Sequence, residues 1–226
     1  MSSRTRTAPR AASEETRNQI KAAAQMLFAR NGIDAVTVQQ IVDAAGQRNN
    51  AALHYHFRTK EELIRQMVVD GAAVLDARRR EMLDEMDRRG GPASIREVML
   101  ILIMPVIELG EDERWRGYIR FTSQLQATNP RALREALSNR WNAGYVECFN
   151  HLKRMLPLPA GIVEQRLSIM AIYANAVLSA NEAARESRNT KGSRLWGQPF
   201  TVENILDMLE AAITCPPSEV TLAKLQ

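Results

Sequence analysis

Cysteine, histidine and aromatic residues are scarce in this chain. It has two cysteines, three histidines and 5% aromatics over 226 residues. Cys148 and Cys215 alone supply neither a disulfide framework nor a zinc ligand set. A reducing, cytoplasmic setting is therefore expected. Long hydrophobic runs are also missing. The longest, Val98 to Ile107, is too short to span a bilayer and contains Pro105, so it reads as a helix buried on all sides. The opening residues MSSRTRTAPRAAS lack an apolar stretch, so no secretory leader is expected there. No segment sustains period-two alternation, which argues against a sheet. There is no metal-ligand spacing, nucleophile–base pair or phosphate loop. Neither catalysis nor a metal or cofactor is expected.

What is present is helical and unevenly charged. The net charge is +4, but residues 1–60 carry nine Arg or Lys against four Asp or Glu, and the remainder is close to neutral at −1. A polyanion would be drawn to the N-terminal end. Residues 1–13 read as a disordered basic arm whose Arg4, Arg6 and Arg10 either remain solvated or touch DNA.

From about Glu14 to Arg30, Ile20, Ala23, Ala24, Leu27 and Phe28 repeat as one apolar helical stripe, and Asn31-Gly32 stops it. A short helix follows from Val38 to Ala45. Thr37 and Gln40 stand at capping-box spacing before it, and Gly46 provides a turn after it. A second short helix begins at Asn49 or Asn50 and ends at Phe57, with Leu53 and Phe57 pointing inward. Thr59 and Glu62 then cap a long helix reaching Arg88. Two short helices around a tight turn form a helix-turn-helix, which sets one helix into a DNA major groove.

The second short helix opens with Arg48, Asn49, Asn50, Ala51 and Ala52. Arginine pairs with guanine O6/N7, asparagine with adenine N6/N7, and alanine packs on a thymine methyl. The same run also suits a solvated polar turn. His54, Tyr55, His56 and Lys60 offer phosphate donors. The two histidines stand at i, i+2 and cannot chelate one metal together.

Over residues of about 14–65 the chain resembles the tetracycline-repressor (TetR) family of transcriptional regulators. The resemblance rests on Phe28-Ala-Arg-Asn-Gly32, Thr37-Val, Ile41, Ala44-Ala45-Gly46, Leu53-His-Tyr-His-Phe57 and Thr59-Lys60-Glu61-Glu62-Leu63. It implies an all-α protein with a three-helix DNA-binding head over residues 14–60. A helical domain over 61–226 would bind an effector and form a homodimer. It also implies repression of transcription until the effector binds. By the resemblance, Thr37 touches phosphate, residues 48–52 read bases, and His54, Tyr55, His56 and Lys60 contact the backbone. The stretch Gly46–Phe57 is one residue longer than the family pattern, and Gln47 stands where a small apolar residue is usual. Which of Arg48, Asn49 and Asn50 takes the first base-reading position stays open.

Beyond residue 70 the residues speak by themselves. Further helices read as Ser94–Leu109, Glu113–Ala127, Pro130–Met155, Pro159–Ser187 and Thr201–Thr214, with a loop over 188–200. Pro105 is expected to interrupt its helix. Trp115, Tyr118 and Phe121, then Trp141, Tyr145 and Phe149, cluster in two neighbouring helices beside Met99 and Ile103. Such side chains either pack as core or line a site for a small, largely apolar effector, with Gln124 and Asn175 as polar contacts. The Pro159–Ser187 helix alternates small and large residues, which suits a close-packed dimer seam shared with Thr201–Thr214. A regulator with a dry core, governed by a partner or by nothing, is the alternative. So is a helical interaction module.

Overall fold

The computed structural model describes residues 7–138, 141–186 and 195–225, with side chains from residue 11 onward. The described residues are helical and contain no strand. Helix α1 spans Thr7–Asn31, two turns earlier than its apolar stripe suggests. Pro9 stands in the first turn, where its missing N–H would have no helical partner anyway. Residues 7–13, expected within the arm, are thus helical, while Arg4 and Arg6 lie outside the described residues. Gly32 ends α1 at φ 86° and donates to the Phe28 carbonyl, the expected left-handed stop.

Helix α2 (Val38–Ala44) carries the full capping box between Thr37 and Gln40. Helix α3 (Ala51–Phe57) follows, then α4 (Lys60–Arg88). Beyond these come α5 (Ile95–Glu111), α6 (Tyr118–Thr128), α7 (Pro130–Leu137), α8 (Ala143–Met155), α9 (Ala160–Glu186), α10 (Thr201–Thr214) and a short α11 (Glu219–Ala223).

Three expectations about the helices fail. Pro105 does not interrupt α5, which runs through it. The Arg79 guanidinium donates to the Leu102 carbonyl at 3.1 Å, three residues before the proline. The expected helix Glu113–Ala127 is broken. A 3-10 turn (Glu113–Trp115) precedes Gly117, whose φ of 85° is left-handed. Gln25 holds that turn by donating to the Arg116 carbonyl at 2.9 Å, a contact from another helix that no local pattern signals. The expected helix Pro130–Met155 also divides, with Ser138 left-handed at φ 33°. Most of the 188–200 loop falls at residues 187–194, outside the described set.

The helices pack as two compact units. One comprises Met1–Ala77 and Val106–Ala143, the other Arg78–Pro105 and Gly144–Gln226. In the first, the core joins Ile20, Phe28, Ile41, Leu53, Phe57, Leu63 and Met67 to Tyr118, Phe121 and Leu125 of α6. In the second, Met99, Leu152, Leu167, Leu178, Leu206 and Leu209 are buried. There Arg96 of α5 binds Glu203 and Asp207 of α10 at 2.6 Å each and Glu210 at 3.3 Å.

At the start of α4, Thr59 accepts from the Glu62 N–H at 3.1 Å. Glu62 turns its carboxylate to Arg65 and Gln66, and the Arg65 bonds chiefly hold its pKa down to about 2, from an ordinary value of 4.5. A carboxylate depressed on folding contributes stability that is whole above the unfolded value and fades as pH falls towards the folded one. The gap in urea stability between wild type and Glu62→Gln should therefore be widest near neutrality and shrink by about pH 3. A gap independent of pH would show that the carboxylate's charge adds nothing.

Candidate nucleic-acid interface

The turn between α2 and α3 is built from backbone. Gly46 adopts φ 69° and donates to Asp43, and the Gln47 N–H reaches back to the Val42 carbonyl at 2.9 Å. Gln47 is half-buried, and its side-chain amide donates to the Ala45 carbonyl and to Gln19, both at 3.3 Å. Its size is absorbed by bonding across to α1. Asn49 then opens α3, because its side-chain oxygen accepts from the Ala51 N–H at 2.9 Å. An asparagine used in this way is a local cap. Asn50, the residue next to the helix, is half-buried and makes no side-chain capping bond.

Arg48, Asn49, Ala51, His54 and Tyr55 are exposed, and Tyr55 has 80% of its surface open. Ala51 and Tyr55 stand four residues apart and share one face of α3. Ala52 is half-buried against the core. His54 donates its ring Nδ1–H to the Arg58 carbonyl at 2.7 Å, since an oxygen there can only accept. His56 is half-buried, with its ring edge-on to Tyr55. Burial first, and the Arg17 charge second, lower its pKa, so the ring is neutral near pH 7. Thr37 is exposed, with its hydroxyl engaged by Gln40.

Lys60 departs from its expected place at the surface. Its ammonium donates to the Ile33 and Val36 carbonyls, both at 2.6 Å, and lies 5.5 Å from the Phe28 ring centre. It is half-buried and ties down the loop between α1 and α2.

Residues 20–67 match the model of the bacterial regulatory proteins of the tetR family. The head belongs to the tetR family. The matched stretch carries the helix-turn-helix formed by α2 and α3. No curated protein matches the sequence. Among solved structures, the fatty acid degradation regulator FadR of Bacillus halodurans is similar at 17% identity and TM-score 0.56, over 86% of this chain and 94% of that one. The transcriptional regulatory protein RHA5900 is similar at 18% and 0.55, over 89% and 99%. A TetR-family regulator from Mesorhizobium loti is similar at 17% and 0.50, over 89% and 96%. At such identities the likeness shows the fold.

Several residues that shape the head escaped the sequence reading. Gln25 is buried and holds the α6 turn by its carbonyls. Gly71 leaves room for Tyr118, whose ring would stand 2.2 Å from a Cβ built there. The Tyr118 hydroxyl donates to the Val68 carbonyl at 3.0 Å. The expected effector-site residues are divided between the units. Tyr118, Phe121 and half-buried Trp115 pack with the first unit's core, and Gln124 donates to the Ala29 carbonyl at 3.3 Å. Trp141 is half-buried. In the second unit, Tyr145 stacks on Phe149 with centroids 4.4 Å apart, beneath the Arg79 guanidinium at 5.7 Å. Burial raises the Tyr145 pKa to about 12. Met99 and Ile103 are buried and Asn175 half-buried there.

Among the three polar residues of the turn, Arg48 is the exposed one whose side chain is not engaged in capping. Arg48→Ala should weaken operator binding by about 1–3 kcal/mol and leave binding to arbitrary DNA almost unchanged, measured by anisotropy on both duplexes. Equal losses on the two would make Arg48 a phosphate contact.

Proposed function

We propose that the chain is a homodimeric repressor, released from a near-palindromic operator by a small, largely apolar effector. The two heads read successive major grooves, about 34–36 Å apart, through Arg48 to Ala52, while Thr37, His54, Tyr55 and His56 meet the backbone. The observation that carries release is the seating of α6 on the head. Tyr118 fills the notch at Gly71 of α4, Gly117 comes against Ala29 of α1, and Gln25 grips the turn before α6. A helix held at three points cannot shift without moving the recognition surface.

In functional terms we divide the chain into an N-terminal arm over 1–13, whose residues 7–13 prolong α1, a head over 14–60 and an effector and dimer domain over 61–226. Met99, Ile103, Tyr145, Phe149 and Asn175 are the effector contacts we favour. Trp115, Tyr118, Phe121 and Gln124 act in transmission, because their side chains are taken up by the head's own packing. Trp141 is retained as a flanking contact. To turn operator occupancy from 99:1 to 1:99, the effector must bind the released state roughly 10⁴-fold more tightly.

The dimer reading draws on α9 and α10. Ile169, Ile172 and Met208 are 56%, 63% and 51% exposed, an apolar stripe flanked by exposed Ala176, Ala180 and Ala212. Small residues beside large ones let a second copy approach closely. Cytoplasmic location follows from the regulatory role. No described helix is long and apolar enough to cross a membrane.

The test is anisotropy on DNA upstream of the chain's own gene, first without and then with a panel of apolar small molecules. Release by one class supports the proposal, and steady affinity across the panel supports a partner-governed regulator. Ile172→Glu should convert the dimer to monomer in sedimentation and abolish tight operator binding. A dimer that survives this change would place the seam elsewhere. Gly71→Ala forces either Tyr118 or α4 to move and should cost about 1–3 kcal/mol of stability, measured by urea unfolding. The operator affinity of the folded variant should fall as well. A silent substitution would remove the notch from the mechanism.

A further inference from the structure

The junction between α3 and α4 holds an unusual backbone. Arg58 has φ 65° and ψ −52°, and the Thr59 N–H bonds to the Phe57 carbonyl across it at 2.7 Å. This is a γ-turn with positive φ, a rare and strained arrangement for a residue with a side chain. His54 clamps it from both sides. The His54 carbonyl accepts the Arg58 N–H at 3.0 Å, and the His54 ring donates to the Arg58 carbonyl at 2.7 Å. The Arg58 side chain is exposed and makes no hydrogen bond or ion pair among the described residues; its charge acts on the Glu62 carboxylate only through space. Strain of this kind persists where the surroundings hold it, and it concentrates at functional positions.

We infer that Arg58 supplies the cationic phosphate contact at the end of the recognition helix, and that Lys60 positions the head from within. The two basic residues are two apart, yet their environments are opposite. Lys60 spends its ammonium on the Ile33 and Val36 carbonyls and on the Phe28 face. Arg58 follows α3 directly, one turn beyond exposed His54 and Tyr55, where DNA-reading helices commonly meet the backbone. The clamp makes His54 an orienting residue as well as a backbone contact. Its Nδ1–H is committed to the turn, so it holds Arg58 in place. The inference rests on the DNA-binding head and needs neither an operator nor an effector, since phosphate contacts operate on any sequence.

The experiment is anisotropy of the full-length protein on a labelled duplex of arbitrary sequence across a salt series. Arg58→Ala should weaken binding several-fold and lower the slope of log affinity against log salt by about 0.9 per bound subunit. Arg58→Lys should keep the slope. Arg58→Gly should unfold at higher temperature than wild type, because glycine adopts positive φ freely, and yet bind with the reduced slope. Lys60→Met should unfold at lower temperature and, while folded, keep the wild-type slope. Lys60→Arg guards against a variant that fails to fold. An unchanged slope in Arg58→Ala, or a reduced slope in folded Lys60→Met, would overturn the assignment. Failure of the wild-type protein to bind any duplex would instead count against the DNA-binding reading of the head.

Discussion

Phe28 stacks on Phe121 with ring centres 5.7 Å apart, and the recognition surface depends on that contact. Helices α2 and α3 have seven residues each, too few to be stable in isolation. They persist because Ile41, Val42, Leu53 and Phe57 are buried in one core with Phe28, Leu63 and Phe121. Each such side chain contributes about 1.5–3 kcal/mol on burial. The Lys60 ammonium lies over the same Phe28 ring and ties the loop before α2 to it. One aromatic contact therefore supports the start of the helix-turn-helix, its long following helix and the α6 helix from the far half of the chain.

Polar side chains tie the helices together within each unit. At three irregular places a side chain supplies a donor. Arg79 supplies a donor beside Pro105, Gln25 binds the carbonyls freed at the Gly117 turn, and His54 holds the positive φ of Arg58. A buried carbonyl without a partner is costly, and at the Gly117 turn Gln25 supplies the donor. These donors lie far from their acceptors in sequence, apart from His54, and they join elements rather than stabilise single helices.

The helix-turn-helix was legible because its signals are local. Thr37 and Gln40 cap one another three residues apart, Gly32 and Gly46 take the left-handed conformations a turn demands, and Leu53 and Phe57 repeat at helical spacing. The breaks at Gly117 and Ser138 were not legible, since both interrupt continuous helical patterns; at Gly117 the turn is held by Gln25 from another helix. Tyr118 and Phe121 were recognisable as inward-facing aromatics, but periodicity cannot say which interior they face.

Composition, capping and helical spacing by themselves determined an all-α chain with a basic N-terminal head and a helix-turn-helix at residues 37–62. Tertiary structure alone decided the use of each polar side chain. Lys60 and Arg58 carry the same charge two residues apart, and only the fold turns one onto buried carbonyls and leaves the other open to solvent. The physical reason is range. Backbone preferences act over three or four residues, whereas the partner of a buried charge is chosen by whichever distant segment the core brings alongside it.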